Sequence, residues 1–223
     1  MTGTSRRGRW GGRLTALAAV VAVAMVAVAG VELLTPHSHG AGSSTSVDLA
    51  GAPVQLDGPP PVPAASATPS GHGRFAVPSV GLDVPLGALS VVDGVVEPPG
   101  STSAYWVRNL GVEPSAAPRG TVFVAMHSLR GGGVGPGNAL IDVADGRARV
   151  AVGATVTVDG VTYRVTRTET VAKRDLPADA AIWADTPDRL VVVTCLQRPD
   201  GRPSVDNVVV EATRVGGSHS TPS

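Results

Sequence analysis

Hydrophobic residues fall into three regimes along this chain. From Leu14 to Gly30 the chain is an uncharged run dominated by Leu, Ala and Val, preceded by Arg6, Arg7, Arg9 and Arg13. Between Thr35 and Gly73 large apolar residues almost disappear, and Pro, Ser, Ala and Gly take over. From Arg74 onward apolar residues return in short β-branched runs separated by Gly, Pro and Asp. Such runs predict strands of a compact β domain, because branched side chains fit a pleated, buried surface and the intervening residues fit turns.

The third regime reads in order as follows. Arg74–Val77 is a first strand, and Val80–Leu86 a second whose prolines suit an edge. Val91-Val92-Asp93-Gly94-Val95-Val96 and Thr155–Val158, Asp159-Gly160, Val161–Val165 are two Asp-Gly hairpins. Thr102–Leu110 reads as a short helix or turn. Thr121–Met126 is a strand, followed by a Gly-rich loop from Gly131 to Gly137. Lys173–Asp188 is a polar loop anchored by Ile182 and Trp183 that closes over a cleft. Leu190–Thr194 and Val208–Ala212 complete the set. About eight short strands with little helical periodicity predict a mainly β fold, a single closed β-barrel with short helices or turns.

The first two regimes add appendages. Counted to Leu34, the apolar run is long enough to cross a bilayer, which takes ~20 residues. Its basic flank would stay in the cytoplasm and the rest of the chain would be exported. A cleaved signal peptide is the competing reading, with Ala27-Val28-Ala29 as the cleavage site; the length of the run favours an uncleaved anchor. The expected organisation is a cytoplasmic basic segment (1–13), a transmembrane signal anchor (14–34), a disordered linker (35–73), a folded domain (74–215) and a polar tail (216–223). The protein would then be a single-pass protein of the cell membrane with its domain outside.

Composition narrows the chemistry. The 18 basic and 18 acidic residues balance, which removes the electrostatic case for nucleic-acid binding. Aromatic residues make up 3%, so the core must be aliphatic. Acidic residues and histidines form no ligand pattern, and no metal or other cofactor is expected. There is one cysteine, Cys195, so no intrachain disulfide forms. It ends the run Leu190-Val191-Val192-Val193-Thr194. A thiol at a strand end is fixed by the strand and opened to solvent by the loop beyond. To act as a nucleophile it needs a proton-exchanging neighbour and a donor for the oxyanion formed on attack at a carbonyl. His127, at the end of Thr121–Met126, fits the first role. Arg198 and Arg202, just past the cysteine, fit the second.

These features together resemble the sortases, cysteine transpeptidases of Gram-positive cell surfaces. The resemblance rests on the anchor, the Pro-rich linker, the strand leading to His127, and the strand ending Val191-Val192-Val193-Thr194-Cys195. Val77-Pro78-Ser79-Val80-Gly81 and Asp206 to Val210 are most similar to the actinobacterial class F group. The resemblance implies that Cys195 attacks an LPxTG-like sorting signal to give a thioacyl-enzyme. His127 would serve as acid and base, Arg198 or Arg202 as oxyanion donor, and Thr194 and Ser128 as supports. The implied partners are sorting-signal-bearing surface proteins and an amine of peptidoglycan or a pilin. Two departures stand out. His127 lies in Ala125-Met126-His127-Ser128 rather than Gly-His-x-Asp-Ser. Position 205, where an essential arginine would precede Asp206-Asn207, is a valine.

Two other functions compete. One is a peptidoglycan L,D-type cysteine transpeptidase, against which Thr194 stands where a glycine would be expected. The other is a non-catalytic barrel that binds a wall component, motivated by the altered surroundings of His127 and the displaced arginine.

Overall fold

A computed structural model of the chain describes residues 46–54, 56 and 68–216. The expected anchor at 14–34 and most of the expected linker lie outside the described residues. Ten strands follow in order: β1 (Thr68–Val77), β2 (Leu82–Leu89), β3 (Ala104–Gly111), β4 (Thr121–Ala125), β5 (Ile141–Asp142), β6 (Arg147–Ala148), β7 (Thr155–Val158), β8 (Val161–Ala172), β9 (Arg189–Leu196) and β10 (Asp206–Arg214). Eight of them close a barrel in the order β1-β2-β3-β4-β9-β10-β8-β7, and β5 and β6 pair separately. The helical elements are short 3-10 turns such as Pro136–Leu140. β2 with β3 and β4 with β9 are parallel pairs, and the others in the barrel are antiparallel.

The barrel is mainly β and closed, as the run pattern predicts. Inside it lie Phe75, Leu82, Val84, Val122, Val124, Val192, Val208 and Val210. A second apolar cluster covers part of its outer face: Val107, Phe123, Val191, Val193 and Val209, with Leu176 and Ile182 packed over them. β4 is therefore buried along its whole length. Burial on both faces explains why Thr121–Ala125 and Leu190–Val193 are continuous apolar runs rather than alternating ones. The loop Lys173–Asp188 supplies the cover. Trp183 donates its indole N–H to the Leu176 carbonyl at 2.7 Å, and its ring centroid lies 5.6 Å from that of Phe123.

The Asp159-Gly160 turn joins β7 to β8, with φ of 48° and 79°. Two successive positive φ values match the right-handed twist of a hairpin. The Asp93-Gly94 turn has the same signs, but only Val92 and Val95 bridge across it.

Two expectations are corrected. Thr102–Leu110 is not a helix or turn, because Ala104–Gly111 is barrel strand β3. Its partners are the strands on either side of it in the chain, β2 and β4, and pairing with both decides a segment whose local pattern is indifferent. The stretch expected to be a disordered linker also carries structure. β1 begins at Thr68, not Arg74, pairing Thr68 with Ala88. Further back, Val47 and Pro53 bridge around a turn in which Asp48 is buried. The Asp48 carboxylate accepts N–H groups of Ala50 and Ala52, and that of Val134 at 2.9 Å. Leu49 N–H donates to the Val134 carbonyl and Ser101 Oγ to the Val47 carbonyl. One buried carboxylate does here what an apolar core does elsewhere, so a count of large apolar residues misses it.

Candidate active site

The site grows from the parallel pairing of β4 with β9, which sets Ala125 level with Val193. One residue on, Met126 N–H donates to the Val193 carbonyl and extends the ladder. Continuing that register brings His127 level with Cys195. Alternation fixes the faces: Met126 and Leu196 belong to the interior cluster, Ala125 and Val193 to the outer one. His127 and Cys195 therefore share the outer face at the rim where both strands end. On the far side of β9, Asn207 of β10 pairs directly with Cys195. A row His127–Cys195–Asn207 thus crosses three neighbouring strands.

Side-chain hydrogen bonds fasten the two strand ends together. Thr194 Oγ1 donates to the Met126 carbonyl at 2.9 Å, within the interior. Ser128 Oγ donates to the Cys195 carbonyl. Gln197 Nε2 donates to the Ser128 carbonyl at 2.9 Å and to its Oγ at 3.0 Å. The Gly-rich loop closes underneath, with Gly137 N–H donating to the His127 carbonyl at 2.8 Å. A Cβ at Gly137 would run into Thr194 Oγ1 and sit 2.9 Å from both His127 O and Ser128 N. Glycine is required there by space, since its neighbours are backbone. Asn138 Oδ1 pins the same loop by accepting the Leu129 and Gly135 N–H groups.

His127 is mostly buried, with its side chain 11% exposed. Its Nε2 lies 2.7 Å from the Pro98 carbonyl. A carbonyl only accepts, so Nε2 carries the proton in this arrangement. Glu97 Oε1 lies 3.6 Å from the same nitrogen, placed to stabilise the imidazolium form. Cys195 is half-buried and its sulfur is free of disulfide bonding. Together these groups form a thiol and an imidazole on one rigid rim, the elements of nucleophilic acyl transfer.

Arg198 and Arg202 lie in the loop after β9, and both engage Asp200. Arg198 Nη2 donates to its carboxylate at 2.7 Å, and Arg202 Nε lies 3.7 Å from it. Arg202 is 74% exposed along its side chain. The fold thus gathers His127, Ser128, Thr194 and Cys195, while the two guanidinium groups converge on a carboxylate. A groove beside the site runs between the Asp48 turn and the loop after His127, lined by Asp48, Pro53, Leu129, Arg130, Gly132 and Gly201.

Sequence reasoning passed over Gln197, Gly137 and the Glu97-Pro98 pair, each of which acts through a contact made only on folding. Asn207 did carry a signal. Asn is disfavoured in strands, and here it opens an otherwise apolar run of valines.

The fold is a closed eight-stranded barrel with a cysteine at the end of β9. No protein-family model matches the chain, and no curated protein matches it. Solved structures similar to it include three sortases. One is sortase A from Corynebacterium diphtheriae, a lid mutant, at 15% identity and TM-score 0.48, covering 70% of this chain and 74% of that one. The second is a Clostridium perfringens sortase D5 transpeptidase, at 13% identity and TM-score 0.44, covering 65% and 78%. The third is sortase C-1 from Actinomyces oris, at 15% identity and TM-score 0.46, covering 65% and 73%.

Proposed function

We propose that this protein is a membrane-anchored cysteine transpeptidase of the sortase type, most like class F. In this reading residues 14–34 hold the chain in the membrane, and the barrel works outside on LPxTG-like signals of surface proteins. The observation that carries the reading is the shared register of His127 and Cys195 at one rim, fastened through Thr194 and Ser128.

The chemistry follows from the groups present. The Cys195 thiolate attacks the carbonyl carbon of the scissile peptide bond, forming an S–C bond. The tetrahedral intermediate collapses, the C–N bond breaks, and His127 gives a proton to the leaving amine. An incoming amine of peptidoglycan or a pilin loses its proton to His127 and attacks the thioester, releasing Cys195. For Arg198 or Arg202 to serve the oxyanion, its guanidinium has to turn from Asp200 to the substrate.

The test uses the full chain in detergent with an LPxTG-containing peptide and a short amine. Wild-type protein should join the two, and Cys195→Ala should give none of the product. Equal product from both proteins would sink the proposal.

A further inference from the structure

We propose that the Asn207 carboxamide is the oxyanion donor of this site, in place of a guanidinium. The inference rests on the acyl-transfer reading above and adds a residue to it. Asn207 is the direct cross-strand partner of Cys195 and so projects from the same face of the sheet. It is fully buried, and neither Nδ2 nor Oδ1 has a hydrogen-bond partner. Buried amides are nearly always paired, and leaving both ends unpaired is costly. The next residue across the sheet from Asn207 is Val171, which has no polar side-chain atom to offer.

Geometry matches the need. Directly opposed residues have Cβ atoms about 4.5–5.5 Å apart. Sγ is one bond from its Cβ and Nδ2 two bonds from its own. With an acyl group on Sγ, that spacing puts the carbonyl oxygen within reach of the amide N–H groups once the atoms that cover Asn207 in the free protein move aside. Gln197 Nε2 is bonded to Ser128, Arg198 Nη2 to Asp200, and Arg202 Nε lies 3.7 Å from Asp200. A fixed donor that water does not reach is strong, because nothing competes with the developing charge.

The Cys195 sulfur donates an electron pair to the carbonyl carbon, and the π pair of the C=O bond moves to oxygen. That oxyanion accepts the Asn207 Nδ2–H. On collapse the pair returns to the carbon, the C–N bond breaks, and the leaving nitrogen takes its proton from His127.

Two reagents separate this role from others. Acetylation of Cys195 by p-nitrophenyl acetate passes through an oxyanion, whereas alkylation by iodoacetamide is a displacement at saturated carbon and does not. Both rates are measured on the full chain in detergent for wild type, N207A, N207L, R198A and R202A. Leucine keeps the branched shape of the amide at a larger volume and removes an unpaired polar group, so the melting temperature of both Asn207 variants is measured alongside the rates. Acetylation should fall by about 10²–10³ in both Asn207 variants. Their alkylation should stay within about threefold of wild type. Three results overturn the proposal: acetylation within about threefold of wild type in the Asn207 variants, alkylation lost in the same proportion, or the selective loss moving to an arginine variant. Neither reagent is a sorting peptide, so a chain that transfers no peptide but shows this ratio rejects the transpeptidase reading and keeps the role of Asn207.

Discussion

Thr194 Oγ1 donates a hydrogen bond to the Met126 carbonyl at 2.9 Å and ties the cysteine strand to the histidine strand in the interior. Thr194→Val keeps the shape and leaves that carbonyl without the hydroxyl. A loss of about 1–3 kcal/mol of stability is expected, read as a lower urea midpoint. The ratio kcat/KM should fall as well, since the backbone on either side carries His127 and Cys195.

Gly137→Ala tests the same junction from the loop side. Its Cβ would press on the His127 carbonyl and the Ser128 nitrogen, which are backbone and cannot swing away. Overpacking of this kind costs about 1–3 kcal/mol. Thermal denaturation should show the loss, and acylation of Cys195 should slow with it. Gly131→Ala is a control in open space, although its φ of 65° adds backbone strain of its own.

Ser128→Ala removes one donor to the Cys195 carbonyl and one acceptor for Gln197. The two positions share a network, so their effects should not add. A double-mutant cycle with Gln197→Ala should give a coupling energy of about 0.5–3 kcal/mol. A coupling of zero would remove Ser128 from the support of the site.

The Asp48 turn should be sensitive to acid. Hydrogen bonds from backbone N–H groups, that of Val134 first, hold the Asp48 carboxyl below its ordinary value of 3.8. A carboxyl whose native value is lowered stabilises the folded form above its unfolded value. That contribution is lost as pH falls below 3.8 through the lowered native value. Hydrogen exchange should therefore show protection of the Leu49 and Val134 amides at neutral pH that declines in this acid window. Asp48→Asn should lower the protection at neutral pH and abolish its acid dependence.

Ile182 is fully buried in the cover over the outer face of β4, β9 and β10. Ile182→Ala should cost about 2–5 kcal/mol in a denaturant titration. The sheet beneath it ends at Cys195, so hydrogen exchange in β9 should rise together with the loss.

Much of the barrel was legible in the residues because the signals were local. Asp159-Gly160 writes its own turn, and the β-branched runs at Thr121–Met126 and Leu190–Thr194 favour buried strands. Cys195 stood out as the single thiol, and His127 as the histidine ending a strand. Ala104–Gly111 was not legible, because its burial does not alternate cleanly and its pairing with β2 and β4 is what makes it a strand. The Asp48 turn was missed because its stability comes from one carboxylate meeting the Val134 amide, 86 positions away in sequence.

The order of residues by itself determined the β class, the two tight turns and the identity of the thiol, since each depends on neighbours a few positions apart. Register was decided by tertiary structure alone. A shift of one residue between β4 and β9, or between β9 and β10, would turn His127 or Asn207 to the opposite face from Cys195. That pairing is specified by burial on both faces of the strands, which no single stretch of chain contains. It moved the attention placed on Arg198 and Arg202 to Asn207, a residue that sequence order sets 12 positions beyond Cys195 and folding sets beside it.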